Sequence, residues 1–211
     1  MLIDSATFFA FMLVVLTLQV IPGPAVILTI TRSLSGGRRI GMATGLGIAV
    51  GDILHTLMAA LGLSAILMTS ALAFATVKYL GVAYLLFLGI RAMTQKEGTD
   101  HAARPANGIS DRQAFRQAIL AELLNPKTAL FFLAFLPQFV HLGRGHVTLQ
   151  LLVLGAIFVA LSILVTSMFV LAAGSLRRLG SRLTFLRRWQ GKIVGGIYLG
   201  LGLRLAAQQH S

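Results

Sequence analysis

Cysteine is absent from all 211 residues of this chain. Its absence excludes structural disulfides, thiolate metal sites and thiol redox chemistry, but it says nothing about the compartment. Charge is also scarce, since Asp, Glu, Lys and Arg together make up 11% of the residues, against about a quarter in a typical soluble domain. Hydrophobic residues make up 56%, and the mean hydropathy is +0.85. The composition therefore predicts a membrane protein of one domain.

Acidic residues are especially rare, which leaves a formal net charge of +12. In a soluble protein such an excess would favour nucleic acid as the partner. Here the Lys and Arg residues lie in short connections between apolar segments, where they set topology and meet anionic lipid headgroups. We therefore expect membrane lipids, and no nucleic acid, as the partners of these charges.

Six apolar segments have lengths near the ~20 residues that cross a bilayer as a helix. They cover residues 8–31, 40–67, 73–93, 119–140, 147–173 and 192–207. One long polar connection, 94–116, is expected to be a mobile cytoplasmic loop. The predicted fold is all-α, a polytopic membrane protein with six transmembrane helices. It forms one transporter domain over 1–211, with halves at about 1–93 and 117–211.

The distribution of basic residues predicts the orientation of the segments. The first, third and fifth connections carry most of them: Arg32, Arg38 and Arg39; Arg91, Lys96, Arg104, Arg112 and Arg116; and Arg177, Arg178, Arg182, Arg187, Arg188 and Lys192. The positive-inside rule places these connections in the cytoplasm and both termini outside. Leucines at helical spacing among the last group predict an interfacial amphipathic helix over 176–189.

Proline interrupts two of the apolar segments, at Ile21-Pro22-Gly23-Pro24 and at Leu124-Asn125-Pro126-Lys127. Proline has no backbone donor, so Pro22 releases the carbonyl of Leu18, and Pro126 releases that of Glu122. In hydrocarbon such breaks persist only where they line a cavity or pack against protein. Two interrupted helices in corresponding places of two halves indicate the binding site of a carrier.

A weak internal repeat accompanies these breaks. Pro24-Ala-Val-Ile-Leu precedes a Gly36-Gly37-Arg38-Arg39 turn, and Pro126-Lys-Thr-Ala-Leu precedes Gly143-Arg144-Gly145-His146. Halves of three helices must insert with opposite orientations. The pattern therefore predicts an inverted 3+3 repeat, an arrangement that supports alternating access.

Glycines recur at packing distance in the second segment, at Gly41, Gly45, Gly47 and Gly51. Lipid gives helices no hydrophobic reason to associate, so small residues that allow close backbone approach are favoured where helices meet. These glycines predict close helix contacts and no phosphate loop.

Asp52 and His55 lie one turn apart in the second segment and share a helix face. A carboxylate at this depth is costly unless it is protonated, paired or in contact with water. Asp52 beside an imidazole is a candidate proton-coupling site, and equally a site for a substrate ammonium. Alternatively, Asp52 and His55 only form hydrogen bonds between helices.

The second break gathers Glu122, Asn125, Pro126 and Lys127. Glu122 and Asn125 share a face, while Lys127 points elsewhere and can reach another helix. Lys127 is a candidate to balance Asp52 or to hold a substrate carboxylate, although it can also extend to the headgroups. At the first break the candidates are Gln19, Pro22, Gly23 and Pro24. No metal site, cofactor or catalytic group is expected.

These motifs, in this order, resemble the LysE/RhtB family of bacterial amino-acid exporters. The matching segments are Ile21-Pro-Gly-Pro-Ala, Arg32-Ser-Leu-Ser-Gly-Gly-Arg-Arg, Gly45-Leu-Gly-Ile-Ala-Val-Gly-Asp52, Lys78-Tyr-Leu-Gly-Val-Ala-Tyr-Leu-Leu-Phe-Leu-Gly89 and Leu124-Asn-Pro-Lys-Thr-Ala-Leu-Phe-Phe-Leu-Ala-Phe-Leu-Pro-Gln138. The resemblance implies an inner-membrane carrier with six helices that exports amino acids or their derivatives by proton antiport. Its family substrates include basic amino acids, homoserine, homoserine lactone, threonine and leucine.

Other functions remain open from the residues alone. A cation or metal exporter of related architecture is the nearest alternative, although soft-metal ligation is disfavoured without cysteine. A membrane enzyme would need a converging set of acids or a nucleophilic array, and a scaffold would not explain two broken helices. The sequence leaves open the transported amino acid, the coupling ion and whether the chain forms a homodimer.

Overall fold

The computed structural model describes residues 3–20, 23–63 and 108–176, and the isolated helical residues 76, 79, 82, 83, 86, 87, 90, 196, 199 and 200. Every regular element within these residues is helical. The helices are α1 (Ser5–Val20), α2 (Pro24–Met58), α3 (Asp111–Leu123), α4 (Pro126–Leu130) and α5 (Val147–Leu176). Short π and 3₁₀ segments continue them at Ala59–Leu63, Phe131–Phe135, Leu136–Phe139 and Leu142–Arg144.

Local sequence explains where the helices begin. Pro24 opens α2 after an extended Gly23, because proline at the first helical position loses only a donor that has no partner there. Ser110 and Gln113 form a capping box at the start of α3, and the Asn125 side chain caps α4 ahead of Pro126. Both proline motifs thus end one helix and start another, as their sequences predict.

Two described helical stretches, Pro24–Leu63 and Val147–Ala173, are long and apolar enough to cross a membrane. The pair Asp111–Leu123 and Pro126–Phe139, bent by 45°, makes a third if it is a single span. The fifth predicted segment, 147–173, therefore matches the structure closely. The third and sixth segments and most of the interfacial helix lie outside the described residues, apart from the isolated helical positions.

The predicted loop over 94–116 is wrong at its C-terminal end. Residues 111–116 belong to α3, so the fourth helical stretch starts at Asp111 instead of 119. The first turns of α3 are polar, and a search for apolar segments therefore misses them. The capping box and an ion pair between Arg39 and Asp111 stabilise this polar start.

The predicted first connection is corrected at its start. Helix α2 continues through 32–36 to a kink at Gly37, whose φ of 79° and ψ of 178° lie outside the helical region, and a second helical stretch follows from Arg38. Arg32 lies buried within this helix, where its guanidinium donates to the Ala114 carbonyl at 2.8 Å and to Gln117 Oε1 at 2.7 Å. Arg32 therefore joins α2 to α3 and does not extend to lipid headgroups.

At the start of α1, Asp4 accepts hydrogen bonds from the backbone and hydroxyl of Thr7 at 2.8 and 3.0 Å. Its carboxylate also pairs with His141 at 3.0 Å and with Arg144 at 3.3 Å. The Thr7 backbone hydrogen bond is the main cause that lowers the pKa of Asp4 to about 2. Asp4 is therefore ionised at neutral pH and ties α1 to the segment before α5.

Glycine positions decide how closely α2 approaches α3 and α5. A Cβ at Gly47 would meet the Phe115 backbone carbonyl and, at 2.8 Å, the Ala118 side chain, while one at Gly51 would lie 2.6 Å from Glu122 Cβ. The α2–α3 contact thus depends on small residues one turn apart, as the sequence predicts. Elsewhere in the described structure, one apolar core includes Phe11, Leu18, Phe131, Phe132, Leu136, Leu151, Leu154 and Phe158.

Replacing Gly47 by Ala should destabilise the protein, because the new methyl group meets a backbone carbonyl that cannot move independently of α3. We expect a loss of about 1–3 kcal/mol, the usual range for overpacking. Gly62→Ala is the matched control, since a Cβ there meets no atom of the described structure within 4 Å. Thermal unfolding of the purified protein in detergent measures both variants. Equal stability of the two variants would contradict the close α2–α3 contact.

Candidate functional site

A cavity lies between α1, α2, the α3–α4 break and α5 in the described structure. Its lining residues are Leu18, Gln19, Gly23, Ala25, Val26, Ile48, Asp52, Glu122, Asn125, Lys127, Thr128, Phe158, Ser162, Val165 and Thr166. Its volume is about 40 Å³, which accommodates roughly three water molecules. The structure therefore shows a narrow form of the site, which must widen before a whole amino acid can enter.

Most of the predicted site residues meet in this cavity. Gln19, Gly23, Asp52, Glu122, Asn125 and Lys127 line it. Pro24 and Pro126 start the helices on either side of it, and His55 contacts it through Glu122. Pro22 lies outside the described residues. The structure thus brings the two predicted proline breaks together at one place.

Lys127 links the second break to the first. Its ammonium donates to the Leu18 carbonyl, the group that loses its helical donor because residue 22 is proline. The Lys127 side chain passes beside Gly23, where an added Cβ would lie 3.1 Å from Lys127 Cδ. A residue with a Cβ at 23 would therefore require the lysine side chain to shift by a few tenths of an ångström.

His55 performs the matching role at the second break. The Glu122 carbonyl cannot accept a hydrogen bond from Pro126, which has no backbone N–H. It lies 3.1 Å from His55 Nε2 and accepts a hydrogen bond from the Asn125 backbone N–H at 3.0 Å. Because a carbonyl only accepts hydrogen bonds, Nε2 must carry the proton. The imidazole also stacks on Phe132, with ring centres 5.7 Å apart. His55 thus has a fixed orientation and a defined donor.

The Glu122 carboxylate is buried and well supplied with donors. Asn125 Nδ2 lies 3.2 and 3.1 Å from its two oxygens, and the Thr128 hydroxyl donates to Oε1. The Lys127 ammonium is close enough to interact with it electrostatically. Hydrogen bonds and a nearby opposite charge are what a buried carboxylate needs. The negative charge of Glu122 is therefore compensated by these groups.

Asp52 is the contrasting carboxylate, only 1% exposed. Its side chain interacts with the Ser162 hydroxyl and with Glu122. Its Oδ2 atom has no hydrogen-bond partner among the residues that the structure describes. The same is true of Gln19 Oε1, although Gln19 Nε2 donates to the Phe158 carbonyl at 3.1 Å. The cavity thus contains two buried acceptors that lack donors in the described part of the chain.

Sequence reasoning missed three polar residues of the cavity: Thr128, Ser162 and Thr166. Ser162 and Thr166 are four residues apart in the very apolar α5, so they share one helix face. That spacing is a signal that could have identified them. Thr128 follows Pro126 by two residues, and no spacing rule connects it with Glu122.

Buried acidic and basic groups at two broken helices, in a chain with membrane-spanning segments, define an integral membrane protein with an internal polar site. The family model of the LysE type translocators matches residues 16–209. The chain belongs to this family and is a membrane transport protein.

Three bacterial relatives have lengths similar to that of this chain. The chain is 32% identical over 203 residues to an uncharacterized membrane protein of Pseudomonas aeruginosa, covering 94% of each chain. It is 30% identical to one of Vibrio cholerae, covering 96% of this chain and 98% of that one. It is also 32% identical to the uncharacterized membrane protein YrhP of Bacillus subtilis, covering 88% and 91%. No solved structure matches the chain.

Replacing His55 by Phe should keep the stack on Phe132 and remove the donor to the Glu122 carbonyl. We expect a loss of about 1 kcal/mol, the usual net value of one buried hydrogen bond. His55→Gln retains an N–H donor and should lose less stability. Thermal unfolding in detergent compares the two. A His55→Phe variant at least as stable as His55→Gln would show that the donor is unimportant.

Proposed function

We propose that this protein exports amino acids or amino-acid derivatives from the cytoplasm by proton antiport and is not an enzyme. The substrates would be of the homoserine, threonine, neutral or basic type. The observation that carries the proposal is Asp52 Oδ2, a buried acceptor that lacks a donor among the described residues, in a cavity at two broken helices. A carboxylate in such a place is usually functional, and it can bind and release a proton.

The architecture that we propose is six helices in an inverted 3+3 repeat, in the bacterial inner membrane with both termini outside. Two groups of contacts support the alternation of sides. Asp4, before α1, contacts Arg144 in the fourth connection, so these two segments lie on one side. Arg39 after the Gly37 kink contacts Asp111 at the start of α3, so the first and third connections meet at the other.

In the proposed transport cycle, the contacts at the two helix breaks change. Lys127 leaves the Leu18 carbonyl to hold the substrate carboxylate, which widens the narrow cavity. Asp52 takes up a proton from the outside as the substrate leaves, and it releases the proton to the cytoplasm. The two halves exchange conformations between these steps, as inverted repeats permit.

The test is uptake of radiolabelled amino acids into inverted membrane vesicles, driven by a proton gradient and screened over an amino-acid panel. We expect uptake of one chemical class, and we expect Asp52→Asn to reduce it to the level of vesicles without the protein, because the amide cannot take up the coupling proton. Asp111→Asn is the matched control, since that carboxylate pairs with the exposed Arg39 outside the cavity, and it should transport normally.

Two results would overturn the proposal. Normal proton-driven uptake by Asp52→Asn would remove Asp52 from the coupling. Absence of uptake for every amino acid, with gradient-driven flux of a metal or alkali cation in its place, would favour the cation exporter of related architecture.

A further inference from the structure

The two acceptors without donors in the described structure approach the same turn of α5. Gln19 donates through Nε2 to the Phe158 carbonyl, while Asp52 interacts with the Ser162 hydroxyl. Residues four apart on a helix are neighbours on its surface. The side chains of Asp52 and Gln19 therefore approach the same part of α5 from α2 and from α1, and both line the same cavity.

The orientation of the Gln19 amide follows from its contact. Oxygen and nitrogen of an amide are assigned from the hydrogen bonds that they make. Since the Phe158 carbonyl only accepts, Gln19 must direct its NH₂ group at it and keep Oε1 as the remaining acceptor. The cavity is thus supplied with acceptors at this end, which selects a ligand group that donates.

Among the residues that the structure describes, no positive charge is placed to balance the Asp52 carboxylate. Lys127, the nearby cation on α4, interacts with Glu122 and donates to the Leu18 carbonyl. His55, on the same helix as Asp52, is directed at the Glu122 carbonyl. Ser162 on α5 and Glu122 on α3 supply no positive charge. A lone buried carboxylate is strongly disfavoured, so Asp52 requires either a proton or a cation.

We propose that Asp52 Oδ2 and Gln19 Oε1 form a subsite for the primary ammonium group of the substrate, and that a proton and this ammonium exclude each other at Asp52. The inference rests on the proposed function, because it assigns the ammonium to the exported amino acid. An ammonium has three N–H donors, and Asp52, Gln19 and Ser162 offer three oxygen acceptors. Its size also suits a cavity of about 40 Å³.

Mutual exclusion gives antiport a simple physical basis. A proton on Oδ2 removes the negative charge and turns that oxygen into a donor, which repels an ammonium. Loss of the proton restores the charge and the acceptor. Each occupant therefore binds only after the other has left, and Gln19 decides whether the cation that binds must carry N–H donors.

The test is equilibrium binding to the purified full-length protein, with probes that need no knowledge of the transported substrate. Thermal unfolding is followed while methylammonium, sodium or tetramethylammonium chloride is added at constant ionic strength. We expect methylammonium to raise the unfolding temperature and tetramethylammonium, which lacks N–H donors, to leave it unchanged. The half-saturating methylammonium concentration should rise about tenfold for each unit by which the pH is lowered within the range in which Asp52 is protonated, as competition with one proton requires.

Variants identify the atoms involved. Asp52→Asn should abolish the methylammonium effect and its pH dependence. Gln19→Met should weaken methylammonium binding and reduce the discrimination against tetramethylammonium. Gln138→Met is the matched control, because Gln138 also donates to a helix carbonyl, that of Ala134, at 3.3 Å but does not line the cavity. It should bind methylammonium as the unmodified protein does.

Three outcomes would overturn this inference. They are stabilisation by sodium that equals that by methylammonium, a methylammonium effect that persists in Asp52→Asn, and no effect of methylammonium at any pH. The vesicle assay separates these from failure of the proposed function. Amino-acid uptake without methylammonium binding would reject only the ammonium subsite, whereas methylammonium binding without amino-acid uptake would reject only the exporter.

Discussion

The structure depends on two backbone carbonyls that proline leaves without helical donors. An unpaired carbonyl in an apolar interior costs several kcal/mol, so each needs another donor. The Leu18 carbonyl accepts from Lys127, and the Glu122 carbonyl accepts from the Asn125 backbone N–H and lies within hydrogen-bond distance of His55. A side chain of another helix thus contributes a hydrogen bond at each break, and these contacts bring α1, α2 and α4 to a common point.

The same requirement shapes the electrostatics of the cavity. Lys127, a cation that lines the same cavity, donates to the Leu18 carbonyl and interacts with Glu122. This leaves Asp52 as the acid that lacks compensation among the described residues. Because the contacts of Lys127 are hydrogen bonds and charge pairs, they can be exchanged for others at small net cost. A site whose helices are joined by exchangeable bonds is suited to alternate between two conformations, which transport demands.

Much of the fold and of the candidate site could be predicted from the sequence, because the strongest sequence patterns are local. Proline chemistry located both breaks, and glycine spacing predicted that the second segment makes close contacts with other helices. Partners across helices could not be predicted, since no local rule relates Lys127 to Leu18 or Gln19 to Phe158. The polar start of α3 and the burial of Arg32 were missed for the same reason. In both cases a contact between distant segments stabilises polar residues that hydropathy assigns to a surface loop.

The most direct test of the central claim is a double-mutant cycle of Pro22→Ala and Lys127→Met, measured by thermal unfolding in detergent. Alanine at position 22 restores a backbone N–H that can serve the Leu18 carbonyl. If Lys127 satisfies that carbonyl, Lys127→Met should cost about 1 kcal/mol less when Pro22 has been replaced than when it is present. Additive effects of the two substitutions would contradict the claim that Lys127 stabilises the first break.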